Sequence, residues 1–351
     1  MRPATSRAGQ EPTARARGAR RSSVTAPPTS LLIDTDGGID DAVGLWWAAT
    51  QPDVDVLAVT AVWGNVDVVQ AASNMRRVLH LAGLDDVPVG VGASGPFGAA
   101  PELNPAAFIH GDDGMGNTGR PPAPGPAPSE PAVDVLHRIV RDRPEQVVIV
   151  TLGPLSNIAA AIASDPTWAP RVRQLVIMGG AILAQGNAMP VGEANIAHDP
   201  IAAALVLGAP WSRSPLLVGL DVTLVATLTP AEIELAREGR TVAGADLGDQ
   251  LAYYQRFGGA FCVVEGEFPS HDALAVMAAV HDDIVSGPTL PLAISTSPGP
   301  AQGMTVADRR VPFFEQRGGV QTIPEGFHPC RLAMWVDAAR FRAEIRRLFG
   351  D

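Results

Sequence analysis

The sequence contains no lysine; all 26 of its basic residues are arginine. Cysteine is almost as scarce. Cys262 and Cys330 are too few for a disulfide framework and too far apart for a paired zinc knuckle, so both read as buried thiols in a reducing compartment. No apolar run approaches the ~18 residues that a membrane span requires. An Arg-Arg step occurs in RARGARRSSVTAPPTS, but no apolar segment follows it, so an export signal is not expected and a cytoplasmic location is. Positive charge is itself short outside the N-terminus. Residues 1–29 hold six Arg and one acid, leaving 20 Arg against 36 acidic residues, net −16, in the remainder. That balance excludes a nucleic-acid partner, whose phosphates need Lys or Arg, and favours a neutral or cationic small substrate or a bound cation.

What is present is a chain of 351 residues, 46% hydrophobic, enough for a substantial core. Residues 1–29 read as a disordered Arg-rich tail, and 30–351 as one domain without an internal linker. From Leu31 short apolar runs alternate with amphipathic stretches. LLIDTD, VDVLAVTAVWG, VPVGVG, QVVIVTLGP, RQLVIMGG and SPLLVGLDVT read as strands. DDAVGLWWAAT, VVQAASNMRRVLHLAG, VDVLHRIVRDRP, LSNIAAAIASDP and DPIAAALVLGAP read as helices. The segment 119–132 is Pro-rich and reads as an exposed loop. Beyond Pro230 the pattern is helical through Met277, and GMTVADRR and CRLAMWVD read as late strands before a closing helix. The fold class expected is α/β: an open, mostly parallel central sheet covered by helices on both faces.

Ligands of such sheets bind beyond the carboxyl ends of the strands. LLIDTDGGIDDA places Asp34, Asp36, Asp40 and Asp41 there, Asn65 follows the second strand, and Thr151 ends QVVIVT. Asp40 and Asp41 serve equally as ordinary first-turn acids of a helix. Asp36 and Asp41, however, are placed to bracket a hard cation such as calcium or magnesium. A calcium EF-hand loop fails, since counting from Asp34 puts Gly38 and Leu45 where ligands belong. A haloacid-dehalogenase-like phosphatase start, with Asp34 as nucleophile and Asp36 as acid, leaves Asp40 and Asp41 unexplained and lacks its usual lysine.

Three further segments carry chemistry. SHDALAVMAA sets His271 and Asp272 at a helix start, whereas the second His-Asp step, at His281, lies about 15 Å away along the same helix. GNAMPVGEAN groups Asn187, Glu193 and Asn195, a set suited to sugar hydroxyls. HGDDGMG is a Gly-rich loop bearing His110, a candidate leaving-group acid on a mobile segment.

Taken in order, these segments resemble the inosine–uridine-preferring nucleoside hydrolase family from about Leu31 to the C-terminus. DTDGGIDDA is similar to that family's D-x-D-P-G-x-D-D-A signature, and VWGN, VTLGPLSNIA, GNAMPVGEANIAHDP, HDALAV and GMTVAD follow in the family's order. The resemblance implies a Rossmann-related fold and a homodimer or homotetramer. It implies a calcium ion (Ca2+) held by Asp36, Asp41, the Thr151 carbonyl and Asp272. It also implies ribose contacts from Asp40, Asn65, Asn187, Glu193, Asn195 and Asp272. Asp36 would be the general base toward a calcium-bound water attacking C1′, with His271, ahead of His110, assisting the departing base.

Three departures from the family pattern stand out. Gly37 replaces a frequent Pro and is expected to loosen its turn. Ala194 replaces a frequent Phe and is expected to widen or alter the pocket. The segment before His271 lacks a Tyr/Arg pair, with Tyr253, Tyr254 and Arg256 lying further upstream. The reaction expected is hydrolysis of a ribonucleoside to base and ribose. A modified nucleoside as substrate, or a non-catalytic calcium- and ribose-binding homologue, are the alternatives.

Overall fold

The run Leu31-Leu32-Ile33 has no polar face because both sides of its strand are covered. Alternate side chains point to opposite faces of a strand, and here they enter two separate cores. Leu31 and Ile33 pack with the helices Ile39–Thr50, Val68–Leu81 and His271–Val280, while Leu32 packs with Ala132–Asp142, Ser156–Ser164 and Pro200–Gly208. All three residues are fully buried, each contributing about 1.5–3 kcal/mol. The structure, a computed structural model, describes residues 27–98, 100–101, 103, 106–258, 266–310 and 323–350.

The first seven strands are β1 (Thr29–Thr35), β2 (Val54–Ala61), β3 (Val89–Val91), β4 (Glu130–Pro131), β5 (Val147–Thr151), β6 (Gln174–Met178) and β7 (Leu216–Val218), all but β4 at expected places. Two-residue strands β8 (Thr227–Leu228) and β9 (Phe268–Pro269) pair with each other, as do β10 (Val285–Ser286) and β14 (Trp335–Val336). β11 (Thr289–Ile294), β12 (Thr305–Ala307) and β13 (His328–Leu332) complete a ten-stranded sheet of order β12-β11-β13-β7-β6-β5-β1-β2-β3-β4. It is parallel from β13 to β4, and β11 pairs antiparallel with both its neighbours. The mostly parallel, doubly covered sheet is therefore as expected.

Four local readings change. β4 lies inside the Pro-rich segment, where Glu130 and Pro131 pair with Gly90 and Val91 at the sheet edge. SPLLVGLDVT is a strand only to Val218; Leu220–Thr223 turns into a short helix. The helical stretch after Pro230 is interrupted, as Pro230–Arg237, Val242–Gly258 and His271–Val280 with β9 before the last. β11 escapes a propensity reading because Pro291 sits within it; at that position it faces Pro329 of β13. Most of the Arg-rich tail, and Cys262, lie outside the described residues. Cys330 is buried, and burial pushes its thiol up to about 12.

One buried ion pair ties the helices of the first core together. Asp246, on the helix Val242–Gly258, accepts from Arg77 Nη2 at 2.5 Å and from Trp46 Nε1 at 3.0 Å. Those partners belong to Val68–Leu81 and Ile39–Thr50, so three helices meet at one carboxylate. Among the described residues no helix is long and apolar enough to cross a membrane.

Candidate active site

The carboxyl ends of β1, β2, β5 and β6 open into a cavity of about 270 Å³. Its polar end is formed by Asp40, Asn65, Asn187, Glu193, Asn195 and Asp272. Its other walls are mainly apolar, with Leu152, Met178, Leu224, Tyr254 and Pro269, and Phe108 and Ile109 from the helix Ala107–His110. Three histidines, His110, His198 and His271, also line it, and among the described residues no arginine does.

The turn after β1 is held by its own side chains. Thr35 Oγ1 donates to Asp41 Oδ1 and accepts the Gly37 N–H at 3.1 Å, while Asp41 Oδ2 accepts the Gly38 N–H at 2.9 Å. Asp41 thus caps its helix and faces the site at once. Gly37 does not loosen this turn. It adopts φ +76°, outside proline's range, and it donates a hydrogen bond that proline lacks. Its carbonyl accepts from Asn74 Nδ2 at 2.9 Å.

Asp36, next to the strand end, accepts from both nitrogens of Asn65: the backbone N–H at 2.9 Å and Nδ2 at 2.8 Å. Oxygens of Asp40, Asp41 and Asp272 lie within 4.8 Å of one another, all buried. Burial, then the Asp41 charge, holds Asp36 well above the usual carboxylate range. Burial and Asp41 bring Asp40 to about 7, and burial with the Asp40 and Asp41 charges raises Asp272. Four buried acids without an arginine partner in the cavity among the described residues form a donor set suited to a hard cation. Thr151 is buried within β5, and the residue of that strand end that reaches the cavity is Leu152.

In the segment after β6, Glu193 accepts N–H groups of Gly180 (2.9 Å), Asn195 (2.9 Å) and Ile196 (3.1 Å). Burial nevertheless raises its pKa. Asn195 Nδ2 donates to the carbonyls of Leu152 and Met178, at 2.9 and 3.2 Å, bridging the ends of β5 and β6. Its carbonyl oxygen is left for a ligand. Asn187 is the converse: its Oδ1 accepts the Ala194 N–H at 2.9 Å, leaving Nδ2 as a donor.

A family profile described as inosine-uridine preferring nucleoside hydrolase matches residues 31–343. The chain belongs to that family. The inosine-uridine preferring nucleoside hydrolase of Leishmania major is 34% identical over 291 residues, covering 81% of this chain and 89% of the relative. A plant nucleoside hydrolase structure superposes with a TM-score of 0.83 at 31% identity, covering 92% of this chain and 99% of the other. A purine-preferring ribonucleoside hydrolase from Gardnerella vaginalis gives 0.79 at 32% identity, covering 92% and 98%.

As a nucleoside hydrolase the chain is a hydrolase of N-glycosyl compounds, and the sequence resemblance is confirmed at the level of family, fold and reaction class. The phosphatase reading falls with it. Asp34, its required nucleophile, is fully buried within β1, does not line the cavity, and accepts from Thr60 Oγ1 (2.6 Å) and Asn157 Nδ2 (2.7 Å). Burial brings its carboxyl to about 7. His110 is not a solvated loop residue. It ends a short helix, is 5% exposed, and its Nδ1 accepts the Ile39 N–H at 3.2 Å. His271 opens its helix, with Nδ1 2.7 Å from Thr223 Oγ1, whereas His281 caps the opposite end and packs on Trp47. Trp63 is not in the cavity; its Nε1 donates to Ser156 Oγ at 3.2 Å. Tyr254 is, with its ring against Phe268 and His110.

The site of this nucleoside hydrolase tolerates no side chain at Gly64. A Cβ there would stand 2.1 Å from Asp36 Oδ2, and the φ of +157° is one that other residues rarely adopt. Gly64→Ala is expected to displace the Asp36 carboxylate and lower kcat about 10²-fold. Steady-state kinetics beside a circular dichroism melt checks this; wild-type kcat in a folded variant contradicts it.

Proposed function

We propose that this chain hydrolyses the N-glycosidic bond of a ribonucleoside, giving free base and ribose, with a calcium ion among Asp36, Asp41 and Asp272. The observation that carries this reading is the buried trio Asp40, Asp41 and Asp272, with Asp36 against Asp41, beside hydroxyl-reading amides in a cavity that no arginine lines among the described residues. Asp36, Asp41 and Asp272 would hold the cation, which would supply an acidified water and orientation of the sugar hydroxyls.

The chain's own groups supply the remaining chemistry. Asp36, oriented by both nitrogens of Asn65, takes the proton of the attacking water; its raised proton affinity suits a base. Asp40, Glu193 and Asp272 put negative potential around C1′, where positive oxocarbenium character develops as the bond breaks. The departing base gains electrons and needs a hydrogen-bond donor. Because a backbone N–H only donates, Nδ1 of His110 is unprotonated and its ring proton sits on Nε2. Burial, then His271, pushes His110 down to about 3, and burial pushes His271 to about 4. Both rings are therefore neutral at pH 7, and His110 assists by donating a hydrogen bond from Nε2. Tyr254, Ile109, Leu224 and Pro269 form the apolar surroundings of the base.

The test is a panel of purine, pyrimidine and modified nucleosides, assayed for free ribose with calcium and with chelator. Calcium-dependent release from at least one is expected. Absence of release from every member overturns the catalytic reading and leaves a binding homologue.

A further inference from the structure

Asp40, His271 and Asp272 enter the cavity from helices on one face of the sheet, whereas the helix Ala194–His198 belongs to the other face, where Ile196 joins the second core. On that opposite wall a single peptide unit holds two side chains. The Ala194 N–H donates to Asn187 Oδ1 at 2.9 Å, and the Ala194 carbonyl faces His198 Nδ1 at 2.7 Å. A carbonyl only accepts, so the His198 proton is on Nδ1 and Nε2 of the neutral ring is an acceptor. Nε2 has no protein partner among the described residues. The ring stands edge-on to Trp63, with centroids 5.2 Å apart at 81°, which fixes its plane. With Nδ1 turned onto the backbone, the Nε2 edge is what His198 offers to the cavity it lines. Asn187, its Oδ1 occupied, offers Nδ2–H. Between them the Ala194 methyl group fills little space.

A donor and an acceptor fixed by the same residue match one hydroxyl group, which accepts and donates at once. In a ribose the vicinal 2′- and 3′-hydroxyls are the pair that neighbouring carboxylates and one cation can chelate. The third hydroxyl is carried on the C5′ arm and reaches the other wall. We propose that His198 is a specificity-determining residue that, with Asn187, reads the nucleoside 5′-hydroxyl: Nε2 accepts from O5′–H and Asn187 Nδ2–H donates to O5′. This inference rests on the nucleoside reading above.

The experiment compares the fastest-cleaved ribonucleoside of the panel with its 5′-deoxy counterpart, in wild type, His198→Phe and His198→Gln. Phenylalanine keeps the ring against Trp63 but removes the acceptor; glutamine restores an acceptor without the ring. His198→Phe is expected to lower kcat/KM for the 5′-hydroxyl substrate about tenfold. The preference for it over the 5′-deoxy substrate should narrow by the same factor, with partial recovery in His198→Gln. An unaltered preference in folded His198→Phe overturns the proposal, and so does an equal loss on both substrates, which marks a purely structural role. Wild-type cleavage of both nucleosides at equal efficiency also overturns it while leaving the nucleoside reading intact. Failure of the wild type to cleave either one removes that reading as well.

Discussion

Asp36→Ala is expected to lower the rate of base release about 10²–10⁴-fold, the usual contribution of a positioned general base, while leaving the protein folded. The carboxylate ties Asn65 to the end of β1 through both Asn65 nitrogens, and it adjoins Asp41 in the site. The stability side of this prediction has a definite sign. The folded-state pKa of Asp36 lies above its unfolded value, because burial and Asp41 disfavour the charged form. A raised carboxyl pKa means that the folded state binds protons more readily than the unfolded one. Ionisation then opposes folding above the unfolded pKa. Deleting Asp36 therefore holds or raises Tm at neutral pH in cation-free protein. Ribose release measured beside a thermal melt separates the two effects. Turnover equal to wild type removes Asp36 from the mechanism; a collapsed Tm contradicts the burial argument.

Calcium is expected to raise Tm by several degrees over chelator-treated protein, and Asp272→Ala to abolish most of that rise. A ligand at 100 times its Kd stabilises the folded state by about 2.7 kcal/mol when the unfolded chain does not bind it. The physical source is relief of repulsion among Asp36, Asp40, Asp41 and Asp272, which lie buried together. The rise should grow between pH 6 and pH 8. Asp40 titrates at about 7, so over that interval the cation-free cluster loses protons, its repulsion increases, and calcium competes with fewer of them. Differential scanning fluorimetry with calcium, magnesium and chelator provides the readout without an activity assay. A Tm indifferent to both ions sinks the metal assignment, and a response to magnesium alone replaces calcium as the ion.

All the parallel strands but β4 were legible, most of them as an apolar run with a helix after it, and burial on both faces removes ambiguity from runs such as VVIVT. The antiparallel margin was legible only in part: β12 falls in GMTVADRR, but β11 carries Pro291, and its pairing with β12 and β13 depends on chain brought from elsewhere. In the site, the acids and amides at strand ends stood out as polar residues directly after apolar ones. Leu152, Leu224 and Pro269 carried no such contrast, since an apolar wall residue looks like any core residue until the fold places it. His198 had one readable sign, its spacing of four from Ala194, which on a helix stacks the two on one face. The Gly37 turn was misjudged because an N–H has meaning only once Thr35 Oγ1 is seen to receive it.

The meeting of three helices at Asp246 divides the labour of the pocket. Tyr254, on an apolar wall of the cavity, rides on the helix of Asp246; Asp40, at its polar end, rides on the helix of Trp46. Between them runs one buried carboxylate, shared with Arg77. The apolar wall and the acidic end of the cavity are thus carried on different helices. Asp246 is the pin that keeps the two parts in register.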